Sequence, residues 1–235
     1  ADLGEALEYL RTAAQPQVAS RGAAVRLRFR DLPDTRLSLA TLRIEGATLE
    51  GRQIWELSEL LDRAGEARAI LLAAGERFPR LARKVAGLED LRAVVRGIAG
   101  KILPDGSVAD DASVALNRLR REIERQQKQI QASLERFLKA HHNDGTLQED
   151  FVTIRNDRFV VPIVAGKQRR VEGVIHGASG SGHTMFVEPI ETIQLNNELV
   201  RLREEEMREV HRILREITAH LRAHATAIAR AAEAM

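Results

Sequence analysis

Apolar residues recur at two spacings along this chain. Through most of it they return every three or four positions, the period of a helix with one buried face. Between Phe151 and Pro189 they gather in short runs rich in valine and isoleucine, which is strand patterning. The helical spacing predicts segments over 3–14, 49–73, 77–84 and 88–102, broken by glycine and proline, with a loop reaching Pro33 after the first. Leu103-Pro104-Asp105-Gly106 closes that series as a turn. From Asp111 the pattern tightens: Leu116, Ile123, Ile130 and Phe137 stand at heptad intervals, Leu119 and Leu134 fill alternate layers, and Gln126-Gln127 makes a polar one. This predicts a helix over 112–140, about 43 Å long at ~1.5 Å per residue, stopped by Asn143-Asp144-Gly145. Strands are expected over 151–154, 159–164, 171–175 and 184–187, arranged as a small meander. A last helix is expected over 191–235, with Leu195, Leu199, Leu202, Val210, Ile213, Ile217, Leu221 and Ile228 on one face. Two such seams flanking a small sheet are expected to bury against each other or against a partner chain.

Composition supports the helical reading. Apolar residues make up 44% of the 235 and aromatic residues only 3%, so alanine, leucine, arginine and glutamate carry the chain. No apolar run approaches the length of a membrane span and no charged-then-apolar leader is seen, so a cytoplasmic protein with no membrane partner is expected. Cysteine is absent, which excludes disulfides and thiolate metal sites. The net charge of +2, from 36 basic against 34 acidic residues, identifies no polyanion partner by itself. Its distribution is more informative, because the middle third holds the excess of cations. Residues 116–140 carry Arg118, Arg120, Arg121, Arg125, Lys128, Arg136 and Lys139 against Glu122, Glu124 and Glu135, and residues 151–171 carry five cations against Asp157 alone.

Candidate chemistry follows from these segments. Gly177 to Thr184 has the glycine and hydroxyl spacing of a phosphate-cradling loop, but His183 replaces the required lysine and a strand follows where a helix should open. A flexible hairpin turn is the better reading. Lys167, Gln168, Arg169 and Arg170 are expected in another hairpin turn, where cations reach a phosphate backbone without burial, in a sequence-tolerant and salt-sensitive way. The plain alternative is a solvated turn that blunts a sheet edge. Arg155 and Arg158 flank a further turn and either extend that surface, with His183, or pair with Asp157 or Glu172. Arg118, Arg120, Arg121, Arg125 and Lys128 are read as spread around their helix, a solvated coat. His220 and His224 have a chelating spacing without a third ligand, so no metal is assigned. His141-His142 suits the dipole at a helix end, and Glu204-Glu205-Glu206 reads as surface pairing with arginines.

An ordered set of short motifs resembles the MutS-two family, the bacterial MutS paralogue without a mismatch-recognition domain. The set comprises Asp110-Asp111-Ala112-Ser113, Thr146-Leu147-Gln148-Glu149, Val152-Thr153-Ile154-Arg155, Arg158-Phe159-Val160-Val161-Pro162, Gly173-Val174-Ile175-His176, Ser179-Gly180-Ser181-Gly182 with Thr184, Phe186-Val187-Glu188-Pro189 and Leu195-Asn196-Asn197-Glu198. The resemblance implies a mainly α fold with a small β insertion. Residues 1–110 would be a helical core domain, 111–142 and 191–235 antiparallel lever helices, and 143–190 a β-rich clamp at their tip. It makes His176, Ser179, Ser181, Gly182 and Thr184 the clamp turn, with His176 closing the preceding strand. It departs from the family where Gly177 replaces an acidic residue and where Asn156-Asp157 replaces a turn with glycine. Relatives carry an ATPase and a nuclease-like Smr domain beyond this region, so the chain reads as a non-catalytic core-and-clamp fragment with no cofactor of its own, ATP and Mg belonging to the ATPase. The implied partners are branched DNA and a second copy in the full-length protein. Stalled ribosomes, or a purely structural dimerising coiled coil, are the alternatives.

Overall fold

The structure, a computed structural model, describes residues 32–235, and the helix expected over 3–14 lies outside them. Seven helices and four strands are found among the described residues. They divide into two units, one formed by the segment ending at Ala112 together with Arg212–Met235, the other by Ser113–His211.

In the first unit α1 (Arg36–Leu42), α2 (Gly51–Ala73), α3 (Pro79–Ala86) and α4 (Arg92–Ile98) precede the long connection to the second unit. The core of this unit is the face of α2 made by Ile54, Leu57, Leu61, Ala64, Ala67 and Leu71, all buried at three- and four-residue spacing. Proline at the first position of α3 and the Glu50 amide donating to Gln53 Oε1 at the start of α2 set two helix entries. The helix expected over 88–102 is shorter, because the Asp90 carboxylate caps Arg92 and Ile102 pairs with Val108 as a β-bridge. Helix α1 was not legible in the apolar pattern. The last helix does not run unbroken to the end: α6 (Ile190–Ala223) stops at His224, whose amide bonds Leu221 O at 3.0 Å, and α7 (Ala225–Ala234) lays buried Ile228 and Ala231 by α2. Arg222 fastens the end of α6 by donating to Leu42 O and Ala47 O, and Thr218 Oγ1 accepts from the Leu49 amide.

The second unit opens with α5 (Val114–His141). Ser113 Oγ accepts the Leu116 amide at 3.0 Å as an N-cap and donates to Glu209 at 2.6 Å. Pairs Ser113–Glu209, Arg120–Glu206 and Gln126–Leu195 O run in opposite senses along the two segments, so α5 and the first part of α6 lie antiparallel. The seam of α5 is not buried only by another helix, as expected: Ile130, Leu134 and Phe137 pack on Val161, Ile163 and Val187 of the sheet, with Leu199 of α6 in the same cluster. Over Ile130 to Phe137 the apolar side of the sheet shares with α6 the burial that a partner helix was expected to supply.

The strands are β1 (Thr153–Arg155), β2 (Arg158–Val164), β3 (Gly173–Ala178) and β4 (Thr184–Pro189), all neighbours antiparallel, in the order β1-β2-β4-β3. This is not a meander. β4, whose Phe186, Val187 and Glu188 are buried, takes the centre beside β2, while β3, with Val174 and Ile175 both 46% exposed, takes the edge. A strand apolar on both faces belongs inside a sheet. β2 and β3 are therefore parallel, and residues 165–172 cross between them. Gly173 is required at the β3–β4 contact, since a Cβ there would stand 2.2 Å from Glu188 O.

Candidate nucleic-acid interface

Lys167 to Arg170 do not form a hairpin turn, because β2 and β3 are not partners. They lie on the crossover, where Gln168–Arg170 make one 3₁₀ turn. Lys167 Nζ donates to Gly145 O at 2.6 Å, and Gly145, at φ +68°, belongs to the turn that ends α5. That turn is pinned by Asp144, which lies 2.7 Å from His141 Nδ1 and accepts the Thr146 amide at 2.8 Å; these bonds lower its pKa to about 2. Arg169 and Arg170 are exposed and have no carboxylate partner among the described residues, whereas Gln168 is half-buried with Oε1 unpaired there.

The loop joining β3 to β4 is closed by hydrogen bonds within itself. Ser179 N donates to Thr184 O, Gly182 N to Ser179 O, and Thr184 N to Ser179 Oγ, with Ser181 Oγ 3.3 Å from Ser179 Oγ. Three of its amides, those of Ser179, Gly182 and Thr184, are spent within the turn, and β4 follows it in place of a helix N-terminus. His183 is exposed, and its carbonyl accepts the Ala165 amide, so this loop lies beside the start of the crossover. Gly177, expected in the loop, lies in β3 at a bulge, and His176 is inside that strand and does not close it.

Arg155 and Arg158 stand at the other end of β2, about 20 Å from Val164 at ~3.3 Å per residue, so the sheet separates them from the crossover cations. Arg155 is exposed with its guanidinium 4.2 Å from the Phe186 ring centre. Between the two arginines, Asn156 and Asp157 both adopt left-handed backbone (φ 50° and 61°), a two-residue turn whose handedness suits the strand twist and tolerates Asn and Asp in place of glycine.

Arg158 is engaged elsewhere. Glu188, 1% exposed, accepts from Arg158 Nη1 at 2.9 Å and from Asn196 Nδ2 at 2.8 Å, while its second oxygen lies 2.7 Å from His176 Nε2. Arg158 Nη2 also donates to Asn197 Oδ1 at 2.6 Å. Fully buried Asn196 does more. β2 pairs with β4 only as far as Val161, and beyond that Asn196 accepts the Phe159 amide at 3.0 Å and donates to Phe159 O at 3.1 Å, standing in for the missing strand. A buried carboxylate is tolerable only when paired and hydrogen-bonded, and every oxygen here is. Glu188, Asn196 and Asn197 were not singled out as site residues; the signal lay in the motifs that hold them, four of which meet in this one network tying β2, β3 and β4 to α6.

On α5 the cations are not spread around the helix. At about 100° per residue, Arg118, Arg121, Arg125, Lys128, Arg136 and Lys139 fall within an arc of about 80°, opposite the buried face. All six are exposed. Arg120 alone points elsewhere, 2.7 Å from Glu206. On α6 the expected surface pairs are present as Arg201 with Glu198 and Glu205, and Arg208 with Glu204. In the first unit the His220 and His224 rings meet edge to face at 5.6 Å.

No helix among the described residues is long and apolar enough to cross a membrane. No family model matches the chain. It is 36% identical over 191 residues to Endonuclease MutS2 of Pelotomaculum thermopropionicum, covering 81% of this chain and 24% of that protein. The protein of the same name from Aquifex aeolicus is 31% identical over 198 residues, covering 84% and 26%, and that of Thermomicrobium roseum 39% identical over 143 residues, covering 61% and 18%. This chain therefore belongs to the MutS2 family and spans about a quarter of the length of the curated relatives it matches.

Proposed function

We propose that this chain is the non-catalytic core and clamp region of a MutS2 ATPase, gripping DNA through phosphate contacts from the sheet's connections. The observation that carries the reading is Arg169 and Arg170, exposed on the crossover with no carboxylate partner among the described residues. Lys167 is held beside them by Gly145 O, and His183 lies on the adjoining loop. Arg158 and His176 are then supports, since the Glu188 network uses their polar atoms. That network joins three strands to a helix that continues to Ala223, which suits passage of a nucleotide-dependent movement from an ATPase to the sheet. In the full-length protein ATP and Mg would bind in that ATPase, and two copies would pair.

The test is a titration of duplex DNA, branched DNA and ribosomes with wild type and Arg169→Ala/Arg170→Ala at several salt concentrations. Loss of two phosphate contacts makes the slope of log K against log salt shallower by about 1.8, at ~0.9 per contact. Unchanged DNA affinity and slope would remove the DNA grip from this crossover. Ribosome binding that the variant abolishes, without DNA binding, would assign the same cations to ribosome rescue. A stable dimer that binds none of the three would make the module a scaffold.

A further inference from the structure

We propose that the outward face of α5 is a second docking surface, which takes the phosphates on one side of duplex DNA over a length of about one turn. The inference rests on the reading that this chain grips nucleic acid, and it places part of the grip on a surface remote in sequence from the crossover. Arg118, Arg121, Arg125, Lys128, Arg136 and Lys139 form one exposed line. From first to last the line spans about 32 Å at ~1.5 Å per residue, close to the ~34 Å of a duplex turn.

Its charge is largely uncompensated. Arg121, Arg125, Lys128 and Lys139 have no ion-pair partner among the described residues, and Arg136 donates only to Ala132 O within the helix. Of the carboxylates bordering the line, Glu122 is 3.8 Å from Arg118, Glu135 accepts from Gln131, and exposed Glu124 forms no ion pair among the described residues, so six cations face three carboxylates. A merely solvated helix face usually alternates charge or pairs it at four-residue spacing, as α6 does with Arg201, Arg208 and Arg212. The face also lacks the large apolar side chains that would anchor a helix in lipid, since Gln129 and Ala132 are what lie between its cations. Charge without apolar anchors, repeated along one face of a helix, matches a duplex bearing one phosphate charge per ~1.7 Å of its axis.

The experiment compares three variants of the 235-residue chain in the salt-dependent duplex titration. Arg121→Gln/Arg125→Gln/Lys128→Gln keeps helix propensity while removing three cations. Its slope should be shallower by about 2.7, and its affinity at 0.1 M salt lower on the order of 100-fold. Ala132→Lys fills the gap between Lys128 and Arg136 and should steepen the slope by about 0.9. If both variants bind like wild type while Arg169→Ala/Arg170→Ala weakens binding, the α5 surface is refuted and the crossover grip stands. If wild type binds no duplex even at low salt, the reading beneath both fails. Binding to structured RNA or anionic vesicles without duplex binding also overturns the proposal.

Discussion

Replacing Asn196 with alanine asks whether the sheet and α6 are held as one piece. Asn196 is fully buried and makes three hydrogen bonds, two to the Phe159 backbone at 3.0 and 3.1 Å and one to Glu188 at 2.8 Å. The two neutral bonds are worth about 1 kcal/mol each and the charge-assisted one about 1.5–3 kcal/mol. Truncation also leaves the Phe159 amide and carbonyl without their partner where β4 no longer reaches. The expected loss is therefore about 4 kcal/mol. Asn196→Asp keeps the size, removes both donors and sets a second carboxylate against Glu188, so at neutral pH it should cost more than alanine. Tryptophan fluorescence will not report the change, because the chain's single tryptophan, Trp55, lies in the other unit. Urea denaturation followed by circular dichroism, with hydrogen exchange at the Phe159 amide, reads the second unit directly. A loss below about 1 kcal/mol, or an aspartate milder than the alanine, would refute the claim that Asn196 completes the sheet.

Three further outcomes are expected. Asp157→Val should cost about 1–2 kcal/mol in urea denaturation, because a β-branched residue is strained at φ 61°, whereas Asp157→Gly should stay within about 0.5 kcal/mol. Ser113→Ala removes the N-cap of α5 and the bond to Glu209, and should cost about 1–2 kcal/mol by the same measurement. Asp144 has a folded pKa of about 2, below the ordinary aspartate value of 3.8, so its contribution is present above that higher value and fades as pH falls through the folded one; Asp144→Asn should flatten this acid limb of a stability–pH profile, with the native Asp144 carboxyl titrating near 2 by NMR.

The long elements were legible because their signals are local. Heptad spacing from Leu116 to Phe137 gave α5 within two residues of its bounds, and valine-rich runs placed all four strands. The cationic line on α5 was equally present in the residue numbers, and only Arg120, which belongs to the interior pairing with Glu206, made the set look scattered. The break at His224 left no mark, since Leu221 and Ile228 keep the same helical phase on either side of it.

What the amino-acid order determined by itself was which residues are helical, which are extended, and which face of each is apolar, because those depend on neighbours a few positions away. Strand order was decided by competition for burial: β4 could bury both faces and β3 could not, so the chain crossed over and moved Lys167 to Arg170 out of the expected turn. The Glu188 network joins residues 8 to 30 positions from that carboxylate. No local pattern encodes such a meeting, because the force that assembles it, the need to satisfy one buried charge, acts only after the tertiary fold has brought the partners together.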